Sequence, residues 1–368
     1  MKTKSLIHLT TALLLSTLNS QLSTAHAQGS LTPPGAPAPT MKTLAQIEPR
    51  TAITNTASAV TISQPGSYYL TGNLTVSSGN AITIATNGVT LDLNGFTISS
   101  TAASAAGNGI LLSGSNPRNL TILNGFIQGG VTNNGSGVFG GSGFNAGIIF
   151  SGNPPVNVLV SRVSVSGCLY YGIILNIGDS TVVESCTVRT VGSIGIYAST
   201  IKTSSVIDCG STAIAGEQVS DCRGQSTGNG TGVSATTAQN CYGYSSSGIG
   251  VYATTAQNCS GSSSSGTGVY ATATAQNCYG DTGGSGFGVV ATTAQNCYGS
   301  SSSGYGVTAD RVAIGCYGSS STGTGLYAQN ANTCTGSRSG GTAIQATIAN
   351  GCYAASGTNI ITYKYNMP

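Results

Sequence analysis

The chain has 368 residues, 54 of them glycine, yet only 6% are charged and the formal net charge is +3. A soluble globular domain carries about 25% charged residues, so Ser, Thr, Asn and Gly must keep this surface wet. So little charge argues against electrostatic capture of nucleic acid or an anionic membrane. It also argues against the usual kind of disorder, which pairs low hydrophobicity with high net charge.

Residues 1–27 read as a signal peptide. Lys2 and Lys4 precede a mostly apolar run from Leu6 to Leu18, and Ala25-His26-Ala27 offers a cleavage site before Gln28. No cysteine follows that site, so a lipid anchor is not expected, and no later stretch approaches the ~20 apolar residues of a membrane span. The expected location is periplasmic, cell-surface or extracellular. Processing would remove two lysines and no acid (+3 − 2 = +1), together with both histidines, His8 and His26. A mature chain without histidine or tryptophan has no imidazole to serve as base or metal ligand.

Residues 28–58 form a Pro-rich linker followed by a short helix. Thr40 can cap it, Met41, Leu44 and Ile47 share a face, and Pro49 stops it. Laid over the first edge of a solenoid, such a helix would cover exposed strand; a peptide docking motif is the rival reading. From about residue 59 the pattern alternates like strand, as in Tyr69–Val76, Ala81–Ile84 and Val89–Leu93. A Gly-led apolar pair then recurs at Gly109-Ile110, Gly147-Ile148, Gly172-Ile173, Gly195-Ile196, Gly232-Val233 and onward to Gly325-Leu326. The long step from Gly109 to Gly147 holds an Asn/Gly loop at residues 132–146.

The cysteines keep the same beat. They are Cys168, Cys186, Cys209, Cys222, Cys241, Cys259, Cys278, Cys297, Cys316, Cys334 and Cys352. Subtracting neighbours gives intervals of 18, 23, 13, 19, 18, 19, 19, 19, 18 and 18. The irregular pair, 23 and 13, reads as an insertion balanced by a shorter next step. Within the unit Gly250–Thr267, Val251 and Ala253 alternate with an outward Tyr252, and Ala256 and Cys259 are the next small apolar positions. Asn240, Asn258, Asn277 and Asn296 hold the place before a cysteine, where a left-handed bend suits Asn and stacked amides can form a ladder. Two or three short strands with sharp corners in ~18–22 residues describe a β-helix coil. Leucine-rich repeats are excluded by the missing leucines, and calcium-binding nonapeptides by the missing Asp.

Val89-Thr-Leu-Asp-Leu-Asn-Gly-Phe-Thr-Ile98 and strands of the Gly-Ile-Tyr-Ala type resemble the right-handed parallel β-helix repeat proteins of the pectate-lyase-like superfamily over residues 60–368. Leu31–Ile53 is similar to the leader region of exported bacterial β-helix proteins of unassigned function. The resemblance implies an all-β, single-stranded right-handed parallel β-helix over 59–368, with regular Cys-containing coils from about residue 160. Pectate lyases, polygalacturonases, adhesins and phage tailspikes share this architecture, so it favours polysaccharide without supplying a mechanism.

Glycosidases of this shape need paired carboxylates, and lyases need an acidic Ca²⁺ site with a Lys or Arg base. Most charges lie between Arg162 and Arg223; Asp179 and Lys202 share a phase and are expected to pair. Asp208 and Asp221 each precede a cysteine and are weak catalytic candidates, but they stand where later coils carry Asn, so a ladder role is preferred. The superfamily's lyase and polygalacturonase signatures find no match, so no catalytic, cofactor or metal residue is carried over. The in-phase cysteines read as a buried column of free thiols, because parallel side chains hold their Cβ atoms near ~4.8 Å rather than the ~3.8 Å a disulfide prefers. Some disulfides remain the alternative. Tyr242, Tyr279, Tyr298 and Tyr317 follow cysteines while Tyr252, Tyr270 and Tyr327 point outward, giving two partial aromatic rows. They either stiffen the wall or meet sugar rings. The expectation is a non-enzymatic exported binding or structural module with a glycan partner, self-association being open to it. A polysaccharide lyase or hydrolase with a site in coils 162–223 is the alternative.

Overall fold

The computed structural model describes residues 48–54, 57–178 and 180–367. The expected signal peptide, the capping helix but for its last residue, and Asp179 lie outside the described residues. From Arg50 the chain winds as a right-handed parallel β-helix of about 16 turns. Strand Thr51–Ile53 already pairs in parallel with Tyr68–Leu70, so the coil begins within the stretch read as linker.

The strands stack in register because each coil repeats the inward alternation of the last. Early coils are wide and uneven: Val89 opposes Leu120 (120 − 89 = 31), and Leu120 in turn opposes Val158 (158 − 120 = 38). From Val182 the circuit shortens and settles, pairing Val182 with Thr200, Thr200 with Gln218, Gln218 with Thr237 and Thr237 with Thr255. By subtraction these steps are 18, 18, 19 and 18. A regular coil has one long strand, Val251–Gln257, and one short strand, Ser260–Ser263, joined at a sharp corner.

That corner is a left-handed residue in coil after coil. Asn240, Asn258, Asn277 and Asn296 have φ of 53°, 53°, 52° and 51°, and Asp221, Thr203 and Ser185 continue the column at 54°, 47° and 54°. Asn tolerates this conformation better than most side chains. Each amide donates to the one before: Asn258 Nδ2 to Asn240 Oδ1 at 3.2 Å, Asn277 to Asn258 at 3.1 Å and Asn296 to Asn277 at 3.3 Å.

The core changes character along the axis. Leu70, Leu74, Ile82, Ile84, Leu91 and Ile98 fill the early coils, whereas Val251, Ala253, Ala256 and Cys259 fill a later one. The narrow coils bring opposite walls together: a Cβ added at Gly261 would collide with the Gly268 carbonyl oxygen. Only glycine fits there. Ser263 is 2% exposed, yet its Oγ donates to Gly248 O (2.8 Å) and accepts from Gly266 N (2.9 Å), and Ser245, Ser301 and Ser320 repeat the arrangement. A hydroxyl with both roles satisfied can be buried cheaply.

Two sequence readings change here. The cysteines occupy two inward columns. The residue after each cysteine donates its backbone N–H to the carbonyl of the cysteine one coil earlier, linking Cys222, Cys241, Cys259, Cys278, Cys297, Cys316, Cys334 and Cys352; Ser204 stands between Cys186 and Cys222. Cys168, Val191, Cys209 and Ser226 form the other column, which then runs on through Ser245 and Ser263. The uneven spacing on either side of Cys209 therefore records a change of column, and no short coil compensates an insertion. The Asn/Gly loop at 132–146 is largely an antiparallel hairpin, Gly130–Asn133 with Phe139–Ser142, and Phe144 behind it is fully buried.

Candidate functional site

The two acidic candidates sit on different corners. Asp221 belongs to the Asn column and accepts Asn240 Nδ2 at 3.0 Å, forming its first rung. Asp208 lies beside Thr190 in the second column and is held by neutral donors: Asn133 Nδ2 at 2.7 Å, Thr190 Oγ1 at 2.9 Å and Thr227 Oγ1 at 3.5 Å. It pins the hairpin to the wall. The structure does not bring the two carboxylates together, because Cys209 and Cys222, on which their common phase was counted, face different parts of the core. Lys202, expected beside Asp179, stacks in register with Glu184.

The charged belt does frame a cleft of about 350 Å³ between Asn124, Phe126, Arg162, Ser185 and Thr187. Phe126 is half exposed there. Arg162 adopts a left-handed conformation, φ 54°, and its Nε donates to Asn124 Oδ1 at 2.6 Å; Asn124 Nδ2 in turn donates to Asp92 Oδ1 at 3.1 Å. No carboxylate lines this cleft. A paired-carboxylate hydrolysis has no place to start in it.

All eleven thiols are buried and free. Burial pushes Cys168, Cys209 and Cys222 up to about 12 and Cys186 up to about 11. Cys259 is pushed up first by the thiols of Cys241 and Cys278 and then by burial. Cys241, Cys278 and Cys316 are instead lowered, first by hydrogen bonds from the neighbouring thiols. All eleven sulfurs are nonetheless inside the core, and sulfur that no substrate can reach is neither nucleophile nor ligand. Among the described residues no three His, Cys, Asp or Glu side chains converge as a metal site, and no helix is long and apolar enough to cross a membrane.

The tyrosines form the distinctive surface. One outward column runs Arg223, Tyr242, Ser260, Tyr279, Tyr298, Tyr317, Thr335 and Tyr353 in register. Tyr279 stacks on Tyr298 at 5.1 Å between centroids and Tyr298 on Tyr317 at 5.0 Å, each pair within 7° of parallel. Consecutive rings thus cover one another's faces and offer solvent their edges and hydroxyls. A continuous platform of open faces, as a simple aromatic row would supply, does not form. The second column is shorter than its spacing suggests. Tyr252 stacks on Tyr270 at 5.6 Å, but Val290 and Thr308 separate them from Tyr327. Tyr327 instead meets Tyr305, which stacks on Phe287 at 5.6 Å. Phe287 and Tyr305 escape the sequence reading because they lie in the turn that closes the coil, outside the strand pattern.

No protein-family model matches the chain, and no curated protein matches it in sequence. Solved structures with a similar winding include two A-modules of Azotobacter vinelandii mannuronan C-5 epimerases. AlgE4 is 13% identical with a TM-score of 0.38, covering 82% of this chain and 90% of that one. AlgE6 is 14% identical with a TM-score of 0.35, covering 83% and 91%. The polygalacturonase of Erwinia carotovora is 12% identical with a TM-score of 0.27, covering 86% and 98%. At these scores the likeness carries nothing about this chain's function.

Proposed function

We propose that this is an exported, non-enzymatic β-helix module that binds polysaccharide outside the cytoplasm. The observation that carries this reading is the tyrosine column on an almost uncharged wall: Tyr242, Tyr279, Tyr298 and Tyr353 are 38, 46, 40 and 55% exposed. Tyrosine joins an apolar ring to a hydroxyl and loses little conformational freedom on contact, which suits sugars better than it suits charged or purely apolar partners. The inert thiols and the separated Asp208 and Asp221 support a scaffold without chemistry.

The test is retention on a panel of soluble and insoluble polysaccharides. The wild type is expected to be retained by at least one polymer. A variant with Tyr242, Tyr279, Tyr298 and Tyr317 all changed to Ser should lose that retention while keeping its β circular dichroism. Retention by no polymer, or equal retention of the variant, overturns the reading.

A further inference from the structure

The tyrosine column is broken at Ser260, and the two rings that flank the break have already used their outer faces. Tyr279 stacks on Tyr298 at 5.1 Å, away from the break. On the other flank the Arg223 guanidinium lies 5.5 Å from the Tyr242 ring centroid, again on the far side by register. Their remaining faces look at each other across Ser260, and among the described residues neither meets a further ring.

Two coil steps of ~4.8 Å put the Tyr242 and Tyr279 positions about 9.6 Å apart. A ring held between two aromatic faces needs a carbon contact of ~3.5–4.0 Å on each side, so a flat aromatic guest would fill only about 7 Å. A puckered pyranose chair, with hydrogens on both faces, comes closer to filling the space.

Polar groups surround the opening. Ser260, half-buried, forms the floor. On the adjacent outward column Tyr244 reaches across the coil so that its hydroxyl meets Ser264 Oγ at 2.8 Å, closing one side. The carboxylate of Asp281, in register with Ser262 and Tyr244, makes no hydrogen bond or ion pair within the described residues. Its charge, after burial, holds the Tyr279 phenol above its usual value, so the two groups sense one another. An unpartnered carboxylate at the rim accepts sugar hydroxyls and repels uronates.

We propose that the Tyr242–Ser260–Tyr279 break is a clamp for a single neutral pyranose, gripped on both faces, with Asp281 receiving its hydroxyls. The proposal rests on the polysaccharide-binding reading and adds the place, the sugar class and the orientation. Because the guest's faces look along the solenoid axis, the glycan chain runs parallel to the strands of the coil, across the row and not along it.

Affinity electrophoresis of the full chain in gels containing hydroxyethylcellulose, laminarin or galactomannan, with polygalacturonate as the acidic counterpart, tests this. The wild type should be retarded by at least one neutral polymer. Ser260→Tyr fills the clamp with the residue that neighbouring coils carry at this position, and should weaken that retardation about tenfold or more. Tyr170→Ser, which removes an exposed ring outside the tyrosine column, should change it less than twofold. If Ser260→Tyr, folded by circular dichroism, binds as well or better, the clamp is overturned and the row reading stands. Binding to polygalacturonate alone overturns the neutral-sugar clamp but leaves polysaccharide binding intact, and wild-type binding to none of the four overturns the clamp.

Discussion

The early and late coils build the same fold from opposite materials. In the early coils large aliphatic side chains, Leu70, Leu91 and Ile122 among them, hold the walls apart, and the circuit lengthens between the Val89–Leu120 pairing and the Leu120–Val158 pairing. In the late coils Val251, Ala253, Ala256, Cys259 and Gly261 leave no room for anything larger, and the circuit holds its short period from Ala238 to Ala256 to Ala275. A wide core tolerates insertions such as the hairpin Gly130–Asn133 with Phe139–Ser142, because displaced volume can be taken up by side chains. A core closed by backbone against backbone takes only small bulges, such as those after Ala253 and Ala271. Its strict period is what aligns outward side chains into columns, so regularity of the late coils and the existence of a tyrosine wall have one cause.

The largest contrast should appear on truncation. Leu91→Ala leaves a cavity among fully buried aliphatics and should cost about 2–5 kcal/mol. Gly261→Ala should cost about 1–3 kcal/mol by the opposite route, forcing a methyl against the Gly268 carbonyl. Chemical denaturation of both variants checks the pair. If Gly261→Ala is neutral, the late coils are looser than described.

Alkali probes the thiols, all of which follow the early coils. Folded Cys168, Cys209 and Cys222 sit at about 12, above the unfolded value of 9.0. A group whose pKa is raised on folding stabilises fully below the unfolded value and loses that contribution as pH climbs through the folded one. Stability should therefore hold up to about pH 9 and fall between about 9 and 12. A thiol reagent at about pH 8, shut out by burial, should find almost no reactive cysteine until denaturant is added, and eleven afterwards.

The smallest effect is expected at Cys278→Ser. Ser204 already occupies the same column, donating to Lys202 O at 2.8 Å and accepting from Cys186 N at 3.2 Å. A cost of about 1 kcal/mol or less follows. A much larger loss would mean the sulfur packing itself holds the late coils together.

These differences explain what could be read in advance. Periodicity reveals the solenoid because alternation and turn residues repeat locally, and Asn at left-handed corners is a property of the residue itself. Column identity is another matter. Cys168 and Cys209 look like members of one beat, yet a coil has several inward positions and residue counting cannot tell them apart. The same ambiguity placed Asp208 beside Asp221. The tyrosine rows were legible as spacing, but which ring faces remain open depends on Ser260, a residue with no signal of its own until Tyr242 and Tyr279 are seen on either side of it.

If the wall binds polysaccharide and the acids are structural, removing the two carboxylates should leave binding untouched. Wild type and the Asp208→Asn, Asp221→Asn double variant can be incubated with a broad polysaccharide panel and scored for both retention and released reducing or unsaturated ends. The expected result is retention on at least one polymer, the same for both proteins, with no release by either. Release by the wild type that disappears in the double variant would contradict it.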